Sequence, residues 1–419
     1  MREEHAGRWA PVGTRRAGVL IAIVGRPTLG HGNRDARGAR TWHDGCVAIA
    51  RCGVHSSRVA TPLPLRVLHL DSGREWRGGQ RQVYLLARGL REQGHEPLVI
   101  ASPDSPLIRR LRSAGIAAAA VRMRADWDLA AARRVRAVLR TWNADLVHAH
   151  DARAHAIALA ALLGRKTLPL VVTRRVPFVP RGRLKYGRRV ARFIAISSAV
   201  RDALVAGGVD PSRIDLVYSG VPRPIVARPR DWRSECRWPD DAVVCGIVGA
   251  MTAEKGVATL AEIADHLPAT TRERIRLVLL GGQASGTQPV GGLSAFRAGF
   301  VDEIHSAMAG LDVLLHPSSA EGLGTAVIDA MALGVPPVAF RVGGLPELIE
   351  DGRSGLLVPA GDIAAFAAAT DSLVSDGSLR RYLASAGPPR AADFSVDRMV
   401  RGTQAAYASV LAREPALRG

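Results

Sequence analysis

From Leu65 onward the apolar residues follow two alternating rhythms. Arg66–Leu70 (RVLHL) and Glu96–Ala101 (EPLVIA) are short buried-type runs, whereas Gln80–Gln93 sets Val83, Leu86, Ala87 and Leu90 on one helical face before Gly94 stops it. The alternation continues with a helix over Ser105–Ala114, a strand over Ala117–Val121, a helix over Leu129–Trp142 and a strand over Ala144–His148. After an irregular, proline-containing stretch, Pro222–Asp241, it restarts. The pattern there predicts strand Val243–Val248, helix Val257–His266, strands Ile275–Leu280 and Val313–His316, helix Thr325–Leu333, strand Val335–Phe340 and late helices Asp362–Asp376 and Val396–Ala412. Strands alternating with helices of about 10–15 residues argue for parallel βαβ units. The expected fold is therefore α/β, with two doubly wound, Rossmann-like domains over 65–222 and 243–394. A linker spans 223–242, and a helix with its tail spans 395–419. Such sheets bind ligands at the carboxyl ends of their strands, so two facing halves make a cleft.

Residues 1–64 break the pattern. They hold ten Arg and four acids and keep no period, which reads as a poorly ordered basic extension. Gly18–Gly25 is either a short signal-peptide core or a lone strand. Cys46 and Cys52 fit no standard metal spacing. The four cysteines of this 419-residue chain are too scattered for a disulfide scaffold, and no apolar run reaches the roughly 18–20 residues of a membrane span.

Candidate chemistry gathers where strands end. In the first half Arg77-Gly78-Gly79-Gln80 leads into a helix, where small residues and free N–H groups suit an anion. Ala144–His148 runs into Ala149-His150-Asp151. With no further ligand at helpful spacing, His150 reads as a neutral partner for a polar substrate rather than a metal ligand. Asp126-Trp127-Asp128 resembles an Asp-x-Asp metal clamp, but its place before Leu129 fits a helix cap better. In the second half, strand ends run into Gly249–Gly256, with Lys255, into Gly281-Gly282, and into Pro317–Thr325, with Glu321, Gly322, Leu323, Gly324 and Thr325. Asp329 follows Glu321 by eight residues. A carboxylate pair around a phosphate-binding helix start suits sugar hydroxyls. Gly343–Glu347 forms another tight turn.

These stretches, in this order, resemble the retaining GT-B glycosyltransferases of glycosyltransferase family 4. The likeness rests on Gly249–Gly256, Glu321–Asp329 with AMALGVPPVAF, Gly343–Glu347 and DGRSGLLVPAGD in the second half. In the first half it rests on RGGQRQVYLLARGLREQGHE, ADLVHAHDARAH, FIAISSAVRDAL and RIDLVYSGV. It covers 65 to about 412. The resemblance implies that Lys255 contacts a donor diphosphate, Glu321 binds sugar hydroxyls, and Gly322 to Thr325 offer N–H groups. It also implies that Asp329 holds the ribose, Gly79 with Gly78 approaches the phosphate, His150 meets the sugar, and Gly249 and Gly282 line the donor site. It implies no metal and no cofactor beyond the nucleotide sugar, so cations and helix dipoles stabilise the leaving group. Two positions depart from the family: Ala250 stands where Arg is usual, leaving another Arg to replace that cation, and Asp329 is one methylene shorter than the usual Glu.

The formal charge of +19 is not spread evenly. All but three of the 57 basic residues are Arg, a composition bias that drains the total of meaning. Ala152–Arg201, however, holds twelve cations and no acid, with Pro177, Phe178, Val179, Pro180, Leu184 and Tyr186 among them. Arg174, Arg175, Arg181, Arg183, Lys185, Arg188 and Arg189 are therefore expected to face an anionic acceptor or bilayer surface, and nucleic acid is not expected. The resulting expectation is a cytoplasmic enzyme, peripheral at the inner membrane face, passing sugar from a nucleotide sugar to a cell-envelope glycan or lipid-linked acceptor. The rival readings are a non-catalytic GT-B-like protein that binds anionic surfaces and a GT-B sugar-nucleotide epimerase.

Overall fold

The computed structural model describes residues 64–165, 167–182 and 185–412. The expectations for 1–63, including Gly18–Gly25, Cys46 and Cys52, and for Arg183 and Leu184 lie outside these residues, as does Lys166.

The first half is a seven-stranded parallel sheet in the order β3-β2-β1-β4-β5-β6-β7. Its strands are β1 (Arg66–Asp71), β2 (Glu96–Ala101), β3 (Ala117–Ala120), β4 (Leu146–Ala149), β5 (Leu170–Arg174), β6 (Arg192–Ala195) and β7 (Ile214–Leu216). Helices α1 (Gly78–Glu92), α2 (Pro106–Ser113), α3 (Leu129–Thr141), α4 (Ala152–Ala161) and α5 (Ser198–Ala206) connect them. β1 pairs with β2 on one side and β4 on the other, so the winding reverses between β1 and β4. A crevice opens at the carboxyl ends of such a pair.

The second half repeats the plan with six parallel strands, ordered β10-β9-β8-β11-β12-β13. They are β8 (Val243–Val248), β9 (Ile275–Thr287), β10 (Ala295–Gly299), β11 (Val313–His316), β12 (Pro337–Phe340) and β13 (Leu356–Val358). The helices of this part of the chain are α6 (Trp232–Cys236), before the sheet, α7 (Thr259–His266), α8 (Ala269–Arg274), α9 (Ile304–Ala309), α10 (Thr325–Ala332), α11 (Leu345–Leu348), α12 (Ile363–Ser375) and α13 (Gly377–Ala391), within it, and α14 (Val396–Leu411), after it. The reversal here lies between β8 and β11. The central strands are buried on both faces, which explains apolar runs such as those of β8 and β11.

Several elements differ from the sequence expectation. α1 starts at Gly78, so Gly78 and Gly79 are its first turn rather than a loop before it. α7 starts at Thr259, after a short 3-10 turn over Ala253–Lys255. β9 runs past Leu280 to Thr287, and β10 had no clear signal because Ala295–Gly299 is short and interrupted by Arg297. The linker contains α6, whose Trp232 is buried and donates its indole N–H to Ala307 O at 2.8 Å, fastening the linker to the second half. α13 went unread because Gly387, Pro388 and Pro389 suppress a helical signal. Asp128 caps α3, accepting from Ala131 N at 2.9 Å, as its position suggested.

The last helix belongs to the first half's core. Met399, Val400, Tyr407 and Val410 of α14 pack with Val67, Leu85, Leu86 and Leu90. Tyr407 is fully buried, and its hydroxyl lies 2.7 Å from His148 Nδ1 on β4.

Candidate active site

The second half assembles its share of the site on the loops after β8 and β11. Lys255 ends the 3-10 turn, and its stem lies against Gly249: a Cβ there would be 3.4 Å from Lys255 Cδ and Cε. Gly256 follows at φ +72°, and any Cβ would meet Pro317 O at 2.1 Å, so only glycine fits between these loops. Lys255 Nζ donates to Glu321 Oε2 at 2.5 Å, and His316 Nε2 lies 3.1 Å from the same oxygen. Ser318 Oγ is 3.2 Å from His316 Nε2. Burial works to raise the Glu321 pKa, but the His316 hydrogen bond and the Lys255 charge outweigh it and bring it down to about 2. Glu321 is thus a fixed carboxylate, suited to accept from hydroxyls and not to deliver a proton.

From Glu321 the chain turns into α10 through Gly322, Leu323 and Gly324, with Thr325 as its first residue. The start of α10 faces the start of α1 across the cleft: Thr325 Oγ1 lies 3.4 Å from where a Gly78 Cβ would be. Gly322 meets the other half still more closely, since a Cβ there would lie 2.1 Å from Arg175 O. Gly282, at φ +69°, lines the neighbouring loop, its missing Cβ facing the Met251 side chain. Gly78, Gly79, Gly322, Gly324 and Thr325 are thereby brought together, with Lys255 and Glu321 alongside.

Asp329 occupies a setting its sequence position did not announce. Its carboxylate is buried and gripped by both Nη atoms of Arg81 from α1, with Nη2 to Oδ1 at 2.9 Å. His305 Nε2, on α9, lies 3.0 Å from Oδ1. Burial acts to raise this carboxylate's pKa, but the Arg81 charge and the His305 hydrogen bond hold it below the ordinary range. The oxygens expected to hold a ribose are thus already engaged by protein. Arg81 was missed because, though it lies in RGGQRQVYLL one turn after Gly78, nothing there sets it apart from the other helix arginines; His305 belongs to none of the quoted stretches.

The first half contributes a fully packed polar cluster at the ends of β1 and β4. His69 Nδ1 lies 2.9 Å from His150 Nε2, and His148 Nε2 lies 2.7 Å from Thr173 Oγ1. All three rings are buried, and burial pushes each well below the usual histidine pKa, His69 to about 3. His150 is therefore neutral, as the sequence suggested. One nitrogen from each ring lies within 4.8 Å of the others, a possible donor set for a cation. The bonding argues against that use. Both His148 nitrogens face hydroxyls, His69 and His150 face each other, and the Arg175 Nη2 atom sits 3.4 Å from His150 Nδ1. A cation would have to displace these bonds and sit beside a guanidinium.

Arg175 follows β5 directly, and its Cδ lies 3.7 Å from where a Gly79 Cβ would stand. Its guanidinium makes no ion pair with a described carboxylate, and its buried Nε has no partner. Burial lowers its pKa to about 10, countered by the charges of Asp71 and Asp151 farther off. Asp71, also missed in the sequence, ends β1 and accepts from Gly73 N at 2.9 Å and Gln80 Nε2 at 3.0 Å. Burial first, then Asp151, raises its pKa to about 6.

The basic segment is less available than its composition implied. Arg174 donates to Tyr186 Oη at 2.7 Å and Phe178 O at 2.6 Å, Arg189 to the carbonyls of Arg165 and Leu168, and Lys185 to Asp126 at 3.0 Å. Arg175 turns inward to His150. These four are therefore tied to the fold or the cleft, which corrects the expectation that they form a free outward face toward an anionic surface. Arg181 and Arg188 are exposed, as are Phe178 and Val179. Arg183 lies outside the described residues.

Both halves of the chain resemble known proteins. A family model described as "Glycosyltransferase Family 4" matches residues 76–223, and one described as "Glycosyl transferases group 1" matches 242–376. A 2-deoxystreptamine N-acetyl-D-glucosaminyltransferase of Streptomyces fradiae is 28% identical over 367 residues, 74% of this chain and 86% of the relative. A D-inositol 3-phosphate glycosyltransferase of Streptomyces bingchenggensis is 31% identical over 52% of this chain and 53% of its own length. In three dimensions, Anabaena HepE in complex with UDP-glucose superposes with a TM-score of 0.71 at 22% identity, covering 82% of this chain and 100% of that one.

Proposed function

Because this chain belongs to the GT-B glycosyltransferases of group 1 and family 4, we propose that it moves a sugar, with retention of anomeric configuration and without a metal, from a nucleoside diphosphate sugar to a polar acceptor held by the first half. The observation that carries this reading is the convergence of Lys255, Glu321 and the α10 start with Gly78, Gly79, Arg175 and His150 across one cleft. Glu321 accepts from donor-sugar hydroxyls. Lys255 stabilises the departing diphosphate, and Arg175 takes the place of the cation that Ala250 lacks. The α10 N-terminus adds backbone N–H groups. The acceptor oxygen bonds to the anomeric carbon on the face from which the diphosphate leaves. The carbon–oxygen bond to phosphate breaks, and the departing phosphate oxygen takes the acceptor proton. Neutral His150, held by His69, positions the Arg175 guanidinium beside the sugar and needs no charge change to do so.

A cell-envelope glycan or lipid-linked acceptor, reached from the inner membrane face, is supported by a narrower set of residues than the composition suggested. Trp127 and Phe178 are 52% and 54% exposed, with Val179, Arg181 and Arg188 nearby in sequence to Phe178. Among the described residues no helix is long and apolar enough to cross a membrane. Acceptors of the type named for the two curated relatives, an aminocyclitol or an inositol phosphate, are the alternative.

The test is nucleoside diphosphate release from a panel of nucleotide sugars, followed by NMR of the product's anomeric centre. Release that survives both Glu321→Ala and Lys255→Ala would remove the site assignment, and an inverted product would remove retention. Interconversion of nucleotide sugars without transfer would favour an epimerase.

A further inference from the structure

A cavity of about 770 Å³ lies beside the transfer site, bounded entirely by residues of the first half between Ser72 and Arg153. None of the donor-side residues from Gly249 to Asp329 lines it, nor do Gly78, Gly79 and Arg175, although Arg77 and Gln80 flank the two glycines. It opens at the carboxyl ends of β1 and β4, next to Asp71 and the N-terminus of α4.

Its charges do not cancel. Three carboxylates line it, and each is already engaged. Glu75 pairs with Arg77 at 2.6 Å, and Asp126 pairs with Lys185 at 3.0 Å. Asp151 accepts from Ser72 N and Oγ at 2.6 and 2.7 Å and from Arg153 N and Ala154 N at the head of α4. Arg74, Arg124 and Arg153 also line it, and none of their guanidiniums pairs with a described carboxylate. Arg153 is half-buried. Its buried Nε has no partner, and its Nη1 reaches Met123 O only at 3.5 Å. Three guanidiniums around one basin, none with a described carboxylate partner, are suited to an anion that supplies several acceptor oxygens.

We propose that this basin is an anionic subsite for the acceptor, taking a phosphate or comparable oxyanion attached to a polyol between Arg74, Arg124 and Arg153. The proposal rests on the glycosyltransferase reading and deepens it by naming the acceptor's charge. The anion anchors the acceptor, and the polyol extends from it toward Asp71 and His150. A free phosphorylated polyol and a membrane lipid headgroup share this chemistry.

The experiment is calorimetric titration of the full chain with D-myo-inositol 3-phosphate, myo-inositol and inorganic phosphate, and separately with UDP, GDP, ADP and dTDP. Vesicles containing phosphatidylinositol form a further arm. The phosphorylated polyol is expected to bind at least about tenfold more tightly than the neutral one. The exposed double variant Arg74→Glu with Arg124→Glu is expected to lose that preference while keeping nucleotide affinity. Arg153→Lys should weaken the anion with a smaller effect. Equal binding of inositol and inositol phosphate, or an unchanged preference in the double variant, overturns the subsite. A preference abolished in the double variant, with no nucleoside diphosphate bound by either protein, would instead overturn the glycosyltransferase reading and, with it, the basin's role as an acceptor subsite. Binding of the free phosphate ester supports a soluble acceptor; binding only to vesicles, with loss in the double variant, supports a headgroup in the same basin.

Discussion

Arg81 and Asp329 join the two halves of the chain through a two-pronged ion pair, 248 residues apart in sequence, with His305 closing the third side. Removing one member of such a buried pair leaves a charge without its compensation, which typically costs about 3–5 kcal/mol. Arg81→Ala is therefore expected to lower unfolding stability by roughly that amount, read from urea denaturation. The acid dependence has a definite sign. Asp329 is held below its ordinary value of 3.8 in the folded protein, so its contribution is present above that pH and fades as pH falls through the lower folded value. Stability near pH 3 should thus fall more steeply in the wild type than in the variant.

Asp71 shifts the other way. Its carboxyl is raised from 3.8 to about 6 by burial and by Asp151, so folding favours its proton. Between those pH values stability declines as pH rises, and by pH 7 the buried charge costs roughly 1–3 kcal/mol. Asp71→Asn is expected to raise the melting temperature at pH 7. If the ionised carboxylate orients the acceptor, the wild type will also lose kcat/KM below about pH 6, and Asp71→Asn will have low activity without that limb.

Glu321 has no such limb to offer. With a pKa of about 2 it stays ionised across any working pH. Glu321→Gln removes the charge while keeping the side chain's size, and turnover is expected to fall roughly a hundredfold or more through lost sugar positioning. The shape of the pH profile should not change, and initial rates from pH 5 to 9 for both proteins test this.

Arg175 makes a distinction between nucleotides measurable. If it faces the diphosphate, Arg175→Gln should weaken binding of UDP about tenfold and leave uridine unchanged, with Arg175→Lys in between. Equal losses for nucleoside and diphosphate would mean that Arg175 only shapes the His150 pocket.

Much of this arrangement was legible in the residues, and the reasons for the gaps are physical. Strands such as β2 and β8 declare themselves because buried parallel strands are apolar throughout. Glu321, Lys255 and the glycines stand on loops whose spacing carries information. Arg81 sits on a first-half helix and meets Asp329 only when the two halves face each other, whereas His305 reaches the same carboxylate from α9 of the second half. Arg174 and Lys185 looked like a free basic surface because sequence shows the cations of Ala152–Arg201 but not Tyr186, Asp126 and the carbonyls folded against them. Asp71 was hidden as the last residue of an ordinary strand, one position past the run that identified it.

The docking of α14 on the first half has a consequence for the order in which the protein can mature. Val67, Leu85 and Leu90 are made long before their cover, Val400 and Tyr407, and before the whole second half. A ribosome that has already released most of the second half still holds back the piece that seals the first. Until then β4 carries His148 without its Tyr407 partner beneath an open apolar groove. A chain cut just before α14 would therefore fail in its first half, not in its second.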